Sequence, residues 1–237
     1  MTGLAPLLES GDLVAPLDQN EAELVARELA AEGVDLAIVA RGQEALEETA
    51  AELRRESERR VIDAVLDYLE PLGARLVMYS GLRYESDGQL ASDLAMLNRS
   101  AERCAERGVR LLYHNHNWEF ADGARVMRAV LEDGCPALGL CPDVGWVMKG
   151  GRDAVEFLEG AGERVGALHF KDFATAGGEV DTVLLGTGVA PLREAGRWAM
   201  RAMDGGWMIA EQDRAEGDPA EAVAANGAFL RGVFGGG

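Results

Sequence analysis

Histidine and lysine are scarce in this 237-residue chain: His114, His116 and His169 are its only histidines, and Lys149 and Lys171 its only lysines. Residues this rare do not gather at one place by chance as readily as common ones, so their positions carry information. Cysteine is equally sparse. Cys104, Cys135 and Cys141 are odd in number and lack CxxC spacing, which argues against a disulfide framework or a thiolate zinc site; they read as reduced and mostly buried. No apolar run reaches the roughly 18 residues that span a bilayer, and the N-terminus lacks the basic region and apolar core of a secretory signal. A soluble cytoplasmic protein with no membrane contact is the expectation. Positive charge is also short, with 23 basic against 41 acidic residues and a formal charge of −18. A field of that sign repels phosphate backbones and anionic lipid surfaces, so no nucleic-acid partner is expected. P-loop and GxGxxG fingerprints are missing after every strand-like run. At 48% hydrophobic and 27% charged residues, the composition excludes collagen-like, low-complexity and disordered classes.

The chain alternates amphipathic helical stretches with short runs rich in Val, Ile, Leu and Met, the pattern of βα units around a parallel sheet. Residues 1–237 read as one domain. Helices are expected at Asn20–Glu32, Gln43–Leu69, Gln89–Arg107, Ala124–Glu132, Asp153–Gly160, Pro191–Met203 and Pro219–Val233. Strands are expected at Asp35–Ala40, Arg75–Tyr79, Val109–His114, Ala137–Cys141, Val165–Phe170 and Trp207–Ala210, with a further one possible near Gly3–Leu8. The stretch after Phe170 reads as irregular, and Gly235–Gly237 as a frayed tail. The arrangement is that of a (β/α) TIM barrel shortened or irregular at its first βα unit, because eight strands and about 250 residues are usual. An open doubly wound sheet is the alternative.

Polar residues recur at the C-terminal ends of these strands, which is the functional face of parallel α/β folds. His114 and His116, Asp143, His169 with Lys171, and Glu211 with Asp213 each follow a different strand, and period-two alternation points each pair to one side. Two imidazoles and two carboxylates make a hard-to-borderline divalent site, suited first to Mn²⁺, with Co²⁺, Zn²⁺ or Mg²⁺ as alternatives. Such an ion lowers the cost of removing a proton next to a ketone.

The runs Tyr113-His-Asn-His-Asn-Trp-Glu-Phe120, Cys141-Pro-Asp-Val-Gly-Trp-Val-Met-Lys-Gly-Gly151, Leu168-His-Phe-Lys-Asp172, Gly186-Thr-Gly188 and Ala210-Glu-Gln-Asp213 resemble the xylose-isomerase-like sugar phosphate isomerase/epimerase superfamily. The nearest likeness is to its inosose-dehydratase and keto-sugar epimerase-like members. The resemblance spans roughly residues 35–230. It implies a TIM barrel holding one divalent metal on His114, Asp143, His169 and Glu211, and a carbohydrate substrate. It also carries a departure: ketose 3-epimerases of the superfamily have glutamate where His114 stands, which undercuts a symmetrical two-base epimerisation, whereas dehydratase-like members carry a His-x-His run there. Abasic-site endonucleases share the superfamily, but their trinuclear zinc site needs more histidines than this chain has.

Lys171 is the first candidate for the base, or for the donor to a departing oxygen, with Glu211 and Glu119 as the other catalytic candidates. His116 and Asp213 are expected to contact substrate, and Trp118 and Trp146 to wall it. Asp143 can also be read as a helix cap, Lys171 as a rim ion pair, and Asp172 as a structural anchor. Gly186-Thr-Gly188 is either a phosphate nest or a plain turn. Arg54, Arg55, Arg59 and Arg60, interspersed with Glu52, Glu56 and Glu58, form a solvated helix face, while Trp198, Met200 and Met203 read as packing against the sheet. The expected activity is metal-dependent isomerisation or epimerisation of a sugar, keto-sugar or sugar phosphate. Alternatives are a dehydratase (lyase) and a non-catalytic shortened barrel that binds a partner; homo-oligomerisation would suit exposed barrel edges.

Overall fold

In a computed structural model of the chain, residues 43–177, 181–214 and 217–235 are described. The expected elements at Gly3–Leu8, Asn20–Glu32 and Asp35–Ala40, and with them the shortened first unit, lie outside the described residues. The chain divides into two units, 1–61 and 62–237; of the first, only the leading part of helix α1 (Gln43–Leu69) is described.

Five short parallel strands form the frame of the second unit. β1 (Leu76–Ser80) pairs with β2 (Arg110–His114), and β2 with β3 (Gly139–Cys141). β4 (Ala167–Phe170) pairs with β7 (Trp207–Ala210), and the bridges Leu140↔Val165 and Asp143↔His169 join β3 to β4. The lateral order is therefore β1-β2-β3-β4-β7, a parallel wall in which every step is a right-handed βα crossover by rule.

Alternation along the strands sorts their side chains into two cores. Leu112, Cys141 and Ala167, with Leu76 and Ile209, form a small cluster on one face. Leu111, Tyr113, Leu140, Leu168 and Phe170 belong to a far larger cluster on the other, shared with the helices. An open doubly wound sheet would carry helix-packed cores on both faces; a small strand-only core is what the inside of a barrel looks like.

The helices obey local rules. In α2 (Asp87–Glu106), Ser86 Oγ accepts the Gln89 N–H at 3.1 Å, and Leu90, Leu94, Leu97, Ala101 and Cys104 are buried along one face. Gly108, at φ +68°, turns the chain into β2. α3 (Ala121–Asp133) begins with Asp122, Gly123 and Ala124 in the left-handed region, so its regular turns start where the apolar periodicity does. α5 (Ala154–Ala161) is capped by Asp153. In α6 (Leu192–Ala202) Trp198 is buried as expected, but Met200 is 54% exposed because it falls on the opposite face. α7 (Pro219–Phe234) closes the described chain.

Two elements lie outside the expected helices and strands, although the helix-cap reading of Asp143 allowed for the first. A six-residue helix, α4 (Val144–Lys149), starts directly after Asp143, and the stretch read as irregular contains an antiparallel pair, β5 (Asp172–Phe173) and β6 (Thr182–Val183). No helix among the described residues is long and apolar enough to cross a membrane.

Candidate metal centre

His114 ends β2, Asp143 follows β3, His169 lies in β4, and Glu211 follows β7. In parity, His114 continues from Leu112, Asp143 from Cys141, His169 from Ala167 and Glu211 from Ile209, so the polar cup sits directly above the strand-only core. One donor atom from each of the four lies within 4.8 Å of the others. That spread suits ligands gathered around a single ion.

Local geometry explains how each is held. Asp143 does both things the sequence allowed: its Oδ1 accepts the Trp146 N–H at 2.8 Å and caps α4, while its Oδ2 is buried with no partner. Asn115 Oδ1 accepts the Asp143 N–H at 3.1 Å and fixes the backbone of the loop. Close packing of α4 on β4 depends on Gly145, where a Cβ would meet the Lys171 carbonyl oxygen at 2.3 Å. His169 Nδ1 is in close contact with Glu211 Oε2, and its buried Nε2 has no partner. His114 Nδ1 lies 3.3 Å from the Cys141 carbonyl oxygen, which leaves the other ring nitrogen for a ligand.

Electrostatics reinforce the pattern. Burial, aided by the neighbouring His169, pushes the His114 imidazole down to about 4, so at neutral pH it is an uncharged donor. The Asp143 carboxyl is fully enclosed, and that desolvation pushes it up to about 8 despite the Trp146 N–H and the Lys171 charge. Burial acts upward on Glu211 too, but hydrogen bonds from His169 and Lys171 outweigh it and hold the carboxyl at about 2. Buried polar atoms are seldom left unpaired. Asp143 Oδ2 and His169 Nε2, both orphaned in one acidic cup, fit a divalent cation. Cys141 Sγ lies within the same limit of His114 and His169, but burial pushes the thiol up to about 12, which makes it a poor ligand beside the carboxylates.

Around the cup, Lys171 is 2% exposed, and its ammonium donates to Glu211 Oε1 at 2.8 Å and to Asp213 Oδ1 at 3.0 Å. Burial disfavours its charge, yet those two bonds and the facing acids carry its pKa above the usual lysine value. Its Nζ stands 4.9 Å over the Trp146 ring. Trp146 Nε1 is buried without a partner. His116 stacks on Trp118 at 3.9 Å and lies 5.1 Å from His114. Glu119 is placed differently from the rest: it has no exposed surface, and its carboxylate accepts the Tyr113 hydroxyl at 2.9 Å and the His116 backbone N–H at 2.9 Å. It stands behind His116 and does not line the cup.

The Gly186-Thr-Gly188 turn is filled from within the protein. The backbone N–H groups of Gly186 and Gly188 donate to Asp172 Oδ2 at 2.9 and 3.0 Å, and those of Phe173 and Ala190 to Oδ1 at 3.0 Å each. Asp172 is the anchor the sequence suggested, and its carboxylate occupies the nest that a phosphate would need. Tyr113, Asn115 and Arg83 were not singled out from the sequence; only Tyr113 and Asn115 had a signal, their place in the Tyr113–Phe120 run.

Comparison with known families decides the class. Residues 3–233 match the family described as xylose isomerase-like TIM barrel. The chain belongs to this family. The curated inosose dehydratase of Geobacillus kaustophilus (strain HTA426) is 33% identical over 88 residues, 37% of this chain and 29% of that enzyme, so the chain matches less than a third of that relative's length. A sugar phosphate isomerase/epimerase from Parabacteroides distasonis is similar in fold, with a TM-score of 0.61 at 19% identity, covering 93% of this chain and 78% of that one. So is a xylose isomerase-like TIM barrel protein from Mycobacterium smegmatis solved in complex with magnesium, with a TM-score of 0.57 at 17% identity, covering 92% and 79%. The (β/α) barrel expected from the strand pattern is the fold of this xylose isomerase-like chain.

Proposed function

We propose that this chain is an enzyme with a single divalent-metal site that isomerises or epimerises a sugar, keto-sugar or sugar phosphate by moving a proton next to a carbonyl. The observation that carries this reading is the convergence of His114, Asp143, His169 and Glu211 within 4.8 Å, with two orphaned donor atoms among them. Those four would hold the ion, Mn²⁺ being the first candidate. When bound, it supplies the Lewis acidity that lowers the cost of negative charge on the substrate oxygens.

The protein's own groups divide the remaining work. Lys171, the first candidate for the base, is kept as an ammonium by Glu211 and Asp213, so Glu211, held as a carboxylate, accepts the proton from carbon. Lys171, held as an ammonium, donates to the oxygen on which charge develops. Trp146 excludes water from the sugar's C–H face, His116 and Asp213 meet its hydroxyls, and Glu119 acts one step removed by fixing His116; Trp118, expected as a second wall, instead has its ring covered by His116 and Arg83 and supports them.

A second reading, dehydration, is favoured by the same ammonium, which can protonate a departing oxygen, and by the likeness to inosose dehydratase. Deuterium wash-in over keto-sugars, inososes and sugar phosphates tests both. Solvent deuterium in recovered substrate is expected, and an ultraviolet-absorbing unsaturated product marks elimination. Exchange should vanish in folded Asp143→Asn and Glu211→Gln variants. A dialysed sample well below one equivalent of metal, whose melting temperature ignores added Mn²⁺, would instead support a non-catalytic barrel.

A further inference from the structure

We infer that Arg83 recognises an acidic group, a carboxylate or a phosphate, carried by the substrate at the end remote from the reacting carbonyl. The inference rests on the sugar-site reading above for the rest of the ligand, but its own observations are independent of the metal. Arg83 follows the C-terminal end of β1, the end of the strands at which the cup residues also stand. Its guanidinium carbon stands over Trp118, 3.5 Å from the ring centroid; Trp118 stacks on His116, and His116 touches His114. A continuous series of three ring contacts thus leads from the cup to this cation.

The arm is built rather than draped. Leu82, its neighbour, is buried and tied down on both sides: its N–H donates to the Tyr113 hydroxyl at 3.2 Å, and its carbonyl accepts the Trp118 indole N–H at 3.1 Å. The backbone beneath Arg83 and the indole that supports its side chain are therefore held by the same residue. Restricting a long side chain in this way removes part of the entropy that ligand binding would otherwise cost.

Charge makes the case for an anion. The chain carries a formal charge of −18, and several of its arginines are taken by acids, as Arg103 is by Asp63 and Arg107 by Asp67 and Glu70, while others, Arg110 and Arg164, are spent on backbone carbonyls. Among the described residues Arg83 has no carboxylate partner. The nearby Asp87 is bound instead by Arg125 and the Tyr84 hydroxyl, and Asp213 across the cup is bound by Lys171. A planar guanidinium stacked on an aromatic face keeps its N–H edge free for bidentate recognition of a carboxylate or phosphate. The phosphate-nest candidate read from the sequence, the Gly186–Gly188 turn, is filled by Asp172.

Isothermal titration with D-fructose, D-fructose 6-phosphate and D-fructuronate, each with and without Mn²⁺, tests the inference on wild type, Arg83→Met and Arg83→Lys. Methionine keeps an apolar cover on Trp118 without charge, and circular dichroism with a melting curve verifies each fold. One acid-bearing probe should bind wild type about tenfold or more tightly than fructose, the advantage expected of charge-assisted hydrogen bonds. Arg83→Met should erase that advantage and Arg83→Lys recover part of it; which of the two acids is preferred distinguishes phosphate from carboxylate. Equal binding of neutral and acidic probes to wild type, or an acidic advantage undiminished in Arg83→Met, overturns the inference. If wild type binds no Mn²⁺ yet keeps an Arg83-dependent acidic preference, the metal reading falls and this one stands; if neither appears, both fall.

Discussion

Asp172 is the residue whose removal should tell most about how the upper face of the barrel is held. Its carboxylate, with no exposed surface, accepts four backbone N–H groups at 2.9–3.0 Å, from Phe173, Gly186, Gly188 and Ala190. In Asp172→Ala all four donors lose a charged acceptor at once. A single buried donor left unpaired costs about 1–3 kcal/mol, and the loop can admit water to satisfy some of them, so the loss should be about 4 kcal/mol. For a chain of this length that corresponds to a melting temperature lower by about 8–16 °C. Asp172→Asn should fare little better, because its one carbonyl oxygen can serve two of the donors while its amide hydrogens face the others. Urea titration gives the free energy, and hydrogen exchange followed by mass spectrometry should show residues 184–190 losing protection before the strands do. A loss under about 1 kcal/mol, or unchanged exchange in that loop, would refute the reasoning: the carboxylate would then be incidental to the turn.

Gly145→Ala should cost about 2–3 kcal/mol as an overpacking change, since its Cβ would meet the Lys171 carbonyl oxygen at 2.3 Å and the Phe173 ring at 2.9 Å; a melting curve checks this, and the thermal gain from Mn²⁺ should shrink as α4 and its cap Asp143 shift. Tyr113→Phe removes a hydroxyl that donates to Glu119 and accepts from Leu82, so about 1–2 kcal/mol should be lost in urea titration while Mn²⁺ loading persists. Burial pushes the Cys104 thiol above its ordinary 9.0. The folded state therefore keeps a proton that the unfolded chain releases, and this contribution, complete below pH 9, should fall away as pH rises beyond it, measured as a drop in unfolding free energy between pH 8 and pH 10 that Cys104→Ala reduces. For the same reason a native thiol titration should find at most the half-buried Cys135 reactive, against all three cysteines in denaturant.

The ordering of helices and strands was legible because it rests on local rules. Trp207–Ala210 ends where its apolar run ends, Gln43–Leu69 spans its periodic stretch, and Gly108 stops a helix by taking a φ that other residues resist. Strand alternation placed the candidate side chains at the strand ends by counting, and the choice of His114, Asp143, His169 and Glu211 among them came from the family resemblance of their motifs. What escaped local reading has non-local partners. The cap of α4 at Asp143 was readable, but the seating of the helix was not, because it depends on Gly145 lying against Lys171, 26 residues further along. The short antiparallel pair forms between Asp172–Phe173 and Thr182–Val183, and neither two-residue half has a pattern long enough to be recognised alone. Glu119 sits in a motif full of chemistry, but only its enclosure shows that it works behind His116.

The sequence by itself determined the alternation of elements, which follows from periodicities carried by neighbouring residues, and its motifs, through their family resemblance, pointed to the class of fold and to the side chains expected at one rim. Only the tertiary structure decided which polar groups are spent on one another and which are left over. That Asp172 fills the glycine turn, that Lys171 is paired by two carboxylates, and that Asp143 Oδ2 and His169 Nε2 have no partner are consequences of desolvation and distance between segments. Those quantities do not exist until the chain has folded.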